Sequence, residues 1–413
     1  MAAEATSQSE LSTLDCLDTP SFIVWEDRVR QNCRDMVAKA KALGVALRPH
    51  VKTHKVPEVQ AILQAEADLQ GVSITGIVAS TLAVGAAGTP LLRMHAALHE
   101  VEAFADAGHT DITYAVPCIP ARLPRLQAVR DKHPSLTLRL LLDSSEGVAK
   151  CGEHVEDGAA PWPVFLKVDC GYSRAGVSPI TTPTKALQVA RDIHKSPQFT
   201  LFGLYAHSGN AYNCKGGKPE AAQVAHSEAE VISDFAQALA SEGISVDAVG
   251  VGSTPSAAAC TALPSSITEM HPGNFLFYDL QQVDSGSCSL GDIACGVLTS
   301  IIGVYPERNE VLIDAGGTAM HKDPGGVEGW GRVHGHADLS LLRMSQECTV
   351  VGVQPALKAS PGKPLAERFR LGDKLFVLPN HSCMTACQHE VYHVTKQPTD
   401  AQVLTQWKPC KFW

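Results

Sequence analysis

The stretch Leu47-Arg48-Pro49-His50-Val51-Lys52-Thr53-His54-Lys55 carries a lysine, Lys52, just beyond a short apolar run that is typical of a buried strand. Lysine is strongly hydrated and usually lies on a protein surface. At the carboxyl end of a parallel strand, however, its amine would face the mouth of a barrel, where desolvation and neighbouring cations make an amine nucleophilic. The stretch therefore predicts either a reactive lysine or a solvated basic turn.

Seven further apolar runs follow Lys52 and alternate with helical segments. They are residues 76–80, 111–116, 136–143, 164–169, 202–207, 248–252 and 266–270. Strands that alternate with helices imply βαβ units and a parallel sheet. Together with the run before Lys52, these make eight predicted strands, which indicates an α/β fold of the TIM (β/α)8 barrel type. A doubly wound open sheet is the alternative, and the missing Gly-x-Gly-x-x-Gly motif counts against it.

The chain is predicted to contain two domains and a polar leader. Residues 1–20 form the leader, which is expected to pack on the second domain, and residues 21–284 form the barrel domain. In residues 285–413, strand-like runs joined by Gly- and Pro-rich loops predict a mostly antiparallel β domain. Within it, residues 315–330 are predicted to form a long, irregular, glycine-rich loop.

Composition excludes several classes of partner and location. The net charge of −9, without a basic cluster, argues against binding to nucleic acid or to an anionic membrane. No apolar run is long enough to cross a bilayer, and the acidic leader lacks the features of a signal or transit peptide. The 13 cysteines form no pattern and are expected to be reduced thiols. A cytoplasmic protein is the expectation.

Polar side chains at the carboxyl ends of barrel strands face the active site of a TIM barrel. That rule selects Lys52, Asp169, Arg174, His207, Ser253 and Thr254. His207 could stack on a flat heteroaromatic ring or be a satisfied core histidine. Arg174 could pair with Asp169, or it could contact a cofactor or a substrate carboxylate.

Residues 250–256, Gly-Val-Gly-Ser-Thr-Pro-Ser, follow a predicted strand and precede an alanine-rich helical run. Small residues there would let backbone N–H groups approach a phosphate, with hydroxyls and a helix N-terminus completing the site. A simple capped helix is the alternative. A reactive lysine, a phosphate site and a stacking histidine together predict pyridoxal phosphate bound to Lys52 as a Schiff base. A phosphosugar aldolase with a Schiff-base lysine remains open.

A separate pair, His381 and Cys383, follows a predicted strand of the second domain. Residues two apart on a strand lie on the same side and could share a metal ion. A thiolate with an imidazole suits zinc best, and two protein ligands would leave open positions. Incidental burial of the pair is the alternative.

These motifs resemble the fold-type III, alanine-racemase-like pyridoxal-phosphate enzymes, and more closely the D-threonine aldolase and D-serine dehydratase family. The resemblance is carried by residues 48–55, 167–176, 205–209, 252–255, 271–275, 314–316 and 381–383. It implies a head-to-tail homodimer in which Lys52 is the catalytic Schiff-base lysine. It also implies a divalent metal (zinc, manganese or magnesium) on His381 and Cys383. The cofactor contacts that we expect are Lys52, Arg174, Tyr205, His207, Gly252, Ser253, Thr254 and Tyr278.

The resemblance implies a lyase that acts on D-β-hydroxy amino acids. D-Threonine aldolase, which cleaves D-threonine or D-allo-threonine to glycine and acetaldehyde, is the first expectation. D-Serine dehydratase, which yields pyruvate and ammonia, is the alternative, and a non-catalytic pyridoxal-phosphate carrier is the third. Two features depart from the family pattern: the extra chain at residues 81–97, and Cys348, where the family tends to carry histidine. The second departure is expected to alter the substrate pocket or its proton relay.

Overall fold

The computed structural model describes residues 13–81, 100–214, 217–326, 329–357 and 362–411. Most of the expected insertion at residues 81–97 lies outside these ranges. The chain divides into two compact units, Arg30–Leu290 with Cys410–Trp413, and Met1–Val29 with Gly291–Pro409. Its first strand, β1 (Ser21–Trp25), belongs to the second of these units. Within the described ranges, every helix is too short or too polar to cross a membrane.

In the described part of the barrel unit, eight parallel strands form one sheet. They are β2 (Ala46–Leu47), β3 (Ile77–Ala79), β4 (Asp111–Pro117), β5 (Thr137–Leu142), β6 (Trp162–Lys167), β7 (Phe199–Tyr205), β8 (Ala248–Val251) and β9 (Glu269–Met270). Their order in the sheet is β2-β9-β8-β7-β6-β5-β4-β3. Bridges from Leu47 to Ile74 and from His50 to Val78 join the two outer strands, so the sheet closes on itself. The predicted TIM barrel is confirmed.

Helices alternate with these strands as the apolar periodicity indicates. They are α1 (Glu26–Leu43), α2 (Pro57–Gln70), α3 (Glu100–Asp106), α4 (Leu123–Lys132), α5 (Ser145–Gly152), α6 (Pro183–Lys195), α7 (Lys218–Ser241), α8 (Thr254–Ala259) and α9 (Leu280–Asp284). Helix α2 begins with proline and ends at Gly71, whose φ of 68° suits a residue without Cβ. Helix α6 buries Ala186, Val189, Ala190 and Ile193, a stripe spaced for one helical face.

The barrel interior combines an apolar cluster with a buried charge network. Arg48, only 1 % exposed, donates through Nε to Glu269 at 2.8 Å and also pairs with Asp111. A guanidinium can be buried here because two carboxylates compensate its charge, and loss of either would leave an unpaired ion in the interior. The arginine of the opening stretch is thus part of the barrel core.

The second unit is built mainly from antiparallel strands. Besides β1 they are β10 (Cys295–Tyr305), β11 (Glu310–Ile313), β12 (Gly331–Val333), β13 (Leu339–Met344), β14 (Thr349–Val353), β15 (Lys374–Pro379), β16 (Tyr392–Thr395) and β17 (Thr405–Trp407), with short helices α10 (Gly317–Met320), α11 (Leu365–Arg368) and α12 (Ser382–Ala386). Strands β10, β11, β14, β13, β12 and β15 pair in a closed ring. The predicted antiparallel β domain is confirmed, with β1–β16 as a parallel pair.

The expected start of the barrel domain at residue 21 is wrong. Strand β1 pairs antiparallel with β10 and parallel with β16, so it lies inside the sheet of the β unit. The residues from Phe22 to Trp25 are fully buried, which a strand achieves only with neighbours on both edges and both faces. The described end of the leader also contacts this unit, because Lys374 Nζ donates to the carbonyls of Leu14 and Leu17 at 2.9 and 2.8 Å.

Candidate active site

Lys52 lies in a turn beyond the end of β2 rather than on the strand itself. Its backbone N–H donates to Nδ1 of His50 at 3.2 Å. Two causes lower the pKa of both His50 and His207 well below the ordinary value. The larger cause is burial, and the second is the positive charge of the Lys52 ammonium. Both imidazoles are therefore neutral and close to the same amine. Lys52 follows β2 and His207 follows β7, so both lie beyond the carboxyl ends of barrel strands.

His207 follows β7 and is fixed by the backbone beyond β8. Its Nδ1 lies 3.2 Å from the carbonyl oxygen of Gly252. Because a carbonyl only accepts, Nδ1 carries the proton of this neutral ring and Nε2 does not. The ring of Tyr172 stands edge-on to His207 with 6.0 Å between centroids, and the guanidinium of Arg174 lies 5.0 Å from the Tyr172 centroid. Arg174 thus belongs to the same cluster.

The glycine-rich segment after β8 has an open backbone and a tightly capped helix. Gly252 has a φ of 110°, and a Cβ placed there would meet no atom closer than 3.8 Å. A ligand can therefore approach this backbone closely. Ser253 caps α8 in a reciprocal pair of bonds, because its Oγ accepts the N–H of Ser256 and its own N–H donates to Ser256 Oγ at 2.8 Å. The same Ser256 oxygen accepts from Ser208 at 2.8 Å, which ties the segment after β7 to the cap.

Two expected cofactor contacts have side chains that are used elsewhere. Oγ1 of Thr254 accepts the N–H of Asn274 at 2.9 Å, so this hydroxyl holds the chain after β9. Tyr205 stacks on His271 with 4.0 Å between centroids and packs in the barrel core cluster. Tyr278 is buried in that chain after β9, with a left-handed φ of 51° that only a well-fixed non-glycine residue keeps.

Two buried ionisable side chains near this cluster were missed by sequence reasoning. Burial lowers the pKa of Lys167, on β6, to about 8, and burial raises the pKa of Glu228, on α7, to about 7. The signal for Glu228 was present, because it lies on the buried stripe of α7 with Ala221, Ala225 and Ile232. A carboxyl group on an apolar helix face marks a special environment.

In the β unit, His381 and Cys383 follow β15 but do not lie on a strand. His381 immediately precedes α12, and Cys383 is buried inside that helix, so the strand argument for their common side is wrong. His381 is instead oriented by a carboxylate, since its Nδ1 lies 2.6 Å from Oδ2 of Asp323. Nδ1 of His321 lies 3.1 Å from the other oxygen of Asp323. Among the described residues, no group of three or more His, Cys, Asp or Glu is arranged to hold a metal ion.

Asp323 was missed because it lies in the loop that the sequence predicted as irregular. That loop contains the single turn α10, and Asn380 holds it by donating from Nδ2 to the Asp323 carbonyl at 3.1 Å. The aspartate is far from His381 in sequence, and nothing in its neighbourhood marks it as a partner. The contact between Asp323 and His381 becomes visible only in the three-dimensional conformation of the loop.

Comparison with known proteins agrees with this architecture. Residues 24–281 match the family model described as alanine racemase, N-terminal domain, and residues 294–395 match a putative serine dehydratase domain. The barrel class is therefore that of alanine racemase.

Individual relatives narrow this class. D-Serine dehydratase from Dictyostelium discoideum is 33% identical, over 96% of this chain and 98% of the relative. D-threo-3-hydroxyaspartate dehydratase from Delftia sp. (strain HT23) is also 33% identical, over 97% and 99%. A solved cysteine-to-alanine mutant of a D-threo-3-hydroxyaspartate dehydratase, in the metal-free form, superposes with a TM-score of 0.84 at 29% identity, covering 97% of this chain and 100% of that one.

The chain therefore belongs to the fold-type III, alanine-racemase-like family of pyridoxal-phosphate enzymes, in a branch of lyases that act on D-amino acids.

Proposed function

We propose that this protein is a pyridoxal-phosphate- and metal-dependent dehydratase of small D-3-hydroxy amino acids, with D-serine as the first substrate to test. The observation that carries the proposal is the cluster of Lys52, His207 and the open backbone of Gly252 at one end of the barrel. The dehydratase relatives at 33% identity support this order of substrates. A D-threonine aldolase from Arthrobacter, 27% identical over 91% of this chain, supports the aldolase as the second candidate.

The residues of the barrel fit pyridoxal phosphate. When bound, this cofactor supplies an electron-poor ring that accepts the electron pair left at the substrate Cα. Lys52 provides the amine that attaches the cofactor, and the same amine then takes the Cα proton. His207, neutral and fixed through Nδ1, presents a flat, uncharged ring for the cofactor to lie against.

The phosphate would lie at Gly252 and Ser253, where a missing Cβ leaves room beside the backbone. Thr254 Oγ1 already accepts an N–H from the chain after β9, so toward a phosphate Thr254 would donate through its backbone N–H or its hydroxyl proton. Arg174 and Tyr278 are further candidate contacts. Tyr205 packs as a core residue and is left out of the proposed cofactor contacts.

His381 and Cys383 would hold the divalent metal, which supplies Lewis acidity. An imidazole and a thiol suit zinc, with manganese and magnesium as alternatives. Two solved mutants of the D-threo-3-hydroxyaspartate dehydratase change a histidine and a cysteine with this same spacing, and the cysteine mutant is in the metal-free form. Asp323 accepts the Nδ1–H of His381, which leaves Nε2 as the nitrogen for the metal.

The reaction that we propose converts D-serine to pyruvate and ammonia, with loss of water followed by uptake of water. The test is to incubate protein reconstituted with pyridoxal phosphate and Zn²⁺ with D-serine, D-threo-3-hydroxyaspartate and D-threonine. Keto acid and ammonia are expected from the first two. Glycine with acetaldehyde from D-threonine would establish the aldolase instead, and the absence of any product would favour the non-catalytic carrier.

We also infer a homodimer from the family resemblance. Light scattering coupled to size-exclusion chromatography should give twice the mass of the 43.9 kDa chain. A monomeric mass with full activity would contradict this inference.

A further inference from the structure

A closed series of polar contacts surrounds the turn that carries Lys52. The N–H of Lys52 donates to Nδ1 of His50, and Nε2 of His50 lies 2.9 Å from Oγ of Ser80. The N–H of Ser80 donates to Oε2 of Glu100 at 2.6 Å, and the other Glu100 oxygen pairs with the ammonium of Lys55. Lys55 N–H then donates to the carbonyl of Val51 at 2.9 Å, which closes the series.

Because its charged members are buried, breaking this series of contacts would cost a large amount of free energy. Glu100 is fully buried and Lys55 is 7 % exposed, so each charge depends on the other for compensation. Lys55 also has a left-handed φ of 57°, a conformation that a non-glycine residue keeps only when its surroundings hold it. Cys410 supplies a further restraint, because its N–H and its thiol approach the Lys55 carbonyl at 2.8 and 3.0 Å.

The barrel ladder does not by itself account for Glu100. Strand β3 pairs with β4, and the bridge from Val78 to His50 closes the sheet without any side chain of Glu100. The Glu100 carboxylate instead joins two segments. One oxygen binds Ser80, the residue after β3, and the other binds Lys55, at the far end of the lysine turn. It therefore holds a loop rather than a strand.

The direction of the hydrogen bonds around His50 follows from its charge. The ring is neutral, because burial and the nearby Lys52 ammonium lower its pKa well below the ordinary value. Nδ1 accepts the Lys52 N–H, so Nε2 carries the proton and donates to Ser80 Oγ. A change at Ser80 or Glu100 therefore reaches Lys52 through a single imidazole.

We propose that Glu100 is a positioning residue for Lys52. By binding the Ser80 N–H with one oxygen and the Lys55 ammonium with the other, it fixes His50 and the turn, and so sets the direction of the Lys52 amine. This inference rests on the proposed function, in which Lys52 attaches the cofactor. No residue of the series other than Lys52 is proposed to touch the cofactor or the substrate.

The test compares Glu100→Gln and Ser80→Ala with the wild type and with Ser266→Ala as a matched control. Ser266, half-buried in the same unit, makes a hydroxyl-to-hydroxyl bond with Ser233 at 2.7 Å, apart from the lysine turn. The readouts are the rate at which apoprotein attaches pyridoxal phosphate, the fraction attached to Lys52 after borohydride trapping and peptide mass spectrometry, kcat, KM and the melting temperature.

Glu100→Gln should lower kcat by about 100-fold, the effect of displacing a reacting group by about 1 Å. It should also slow attachment and spread the trapped cofactor over other lysines. Ser80→Ala should lower kcat by about tenfold, in line with the loss of one hydrogen bond, with the melting temperature and KM almost unchanged. Ser266→Ala should behave as the wild type. Should Glu100→Gln fail to fold, Glu100→Asp, which keeps a charge opposite Lys55 but shortens the side chain that binds the Ser80 N–H, takes its place with the same expected slowing of attachment. Ser80→Ala leaves no buried charge unpaired and tests the next link, from Ser80 through His50 to Lys52.

The proposal is overturned if both variants attach the cofactor to Lys52 at the wild-type rate and keep the wild-type kcat while only their melting temperatures fall. In that case Glu100 is purely structural. A Lys52→Ala protein that still attaches the cofactor overturns the proposed function itself, and the two failures are therefore distinguishable.

Discussion

The lysine turn of the barrel and the His381 site of the β unit are built in opposite ways. The turn is closed by buried groups, with Glu100 and Lys55 compensating each other and a neutral His50 between them and Lys52. His381 is held by a half-exposed contact, because its side chain and that of Asp323 are 27 % and 31 % exposed. A buried ion pair cannot dissociate without a large desolvation penalty, whereas a solvated one dissociates easily. For the proposed function, this difference favours a cofactor site that stays formed and a metal site from which the ion can exchange.

The strongest test of this comparison is Lys52→Ala. It should abolish covalent attachment of pyridoxal phosphate and lower kcat by about 1,000-fold or more, because the nucleophilic amine and the base are lost together. Visible absorbance and product assays measure both effects. Lys55→Ala is not a suitable control, because it would leave the buried Glu100 carboxylate without its partner. Lys132→Ala, on the surface, is a suitable control and should keep the wild-type kcat and cofactor attachment.

Substitution of the two proposed metal ligands should give a large effect on kcat that is separable from cofactor attachment. His381→Ala and Cys383→Ala should each lower kcat by about 100-fold through loss of the metal, while attachment of the cofactor to Lys52 stays at the wild-type level. Chelator treatment followed by addition of Zn²⁺ should reproduce the loss and restore activity in the wild type only. Full activity in metal-free protein would contradict the metal site.

Glu228 allows a test of how far the barrel interior excludes water. Burial raises the pKa of Glu228 to about 7, above its value in the unfolded chain, so the folded state binds the proton more tightly. Stability from this group is present at low pH and is lost as the pH rises through about 7. Glu228→Gln should therefore gain stability relative to the wild type between pH 5 and pH 8, by roughly 3 kcal/mol. Urea denaturation at the two pH values measures the change.

Glu230→Gln is the matched control for Glu228→Gln, because Glu230 lies on the same helix but is exposed, beside His226. Glu230→Gln should not show the gain in stability that is expected for Glu228→Gln. An equal pH response in the two variants would show that Glu228 is solvated.

Asp323→Asn should have the smallest effect of the four. It keeps the shape of the side chain but removes the charge that orients His381, and it should weaken Zn²⁺ or Mn²⁺ binding by about 10- to 100-fold. Isothermal titration calorimetry measures this directly, and attachment of pyridoxal phosphate should not change. Lys322→Ala, at the neighbouring position, serves as control; the same affinity in both variants would remove Asp323 from the site.

Features that depend on neighbouring residues could be predicted from the sequence, and features that depend on distant contacts could not. The eight barrel strands were all found, because short apolar runs that alternate with helices report local burial. The lysine turn was found because its polar residues are adjacent in sequence. Strand β1 was assigned to the wrong domain, because its partners, β10 and β16, lie hundreds of residues away and a five-residue run does not encode them. Asp323 and Thr254 needed tertiary contacts that no local pattern reports.

Near each end of the chain, the described residues belong to a unit whose other residues lie far away in sequence. The chain enters through β1 in the β sheet and returns at Cys410 to the Lys55 carbonyl in the barrel. Neither unit is therefore a contiguous segment of the chain. Dividing the polypeptide between residues 284 and 285 would remove β1 from the sheet of the β unit and would remove from the barrel unit the contact of Cys410 with the Lys55 carbonyl. Studying the halves separately would require a circularly permuted chain rather than a simple truncation.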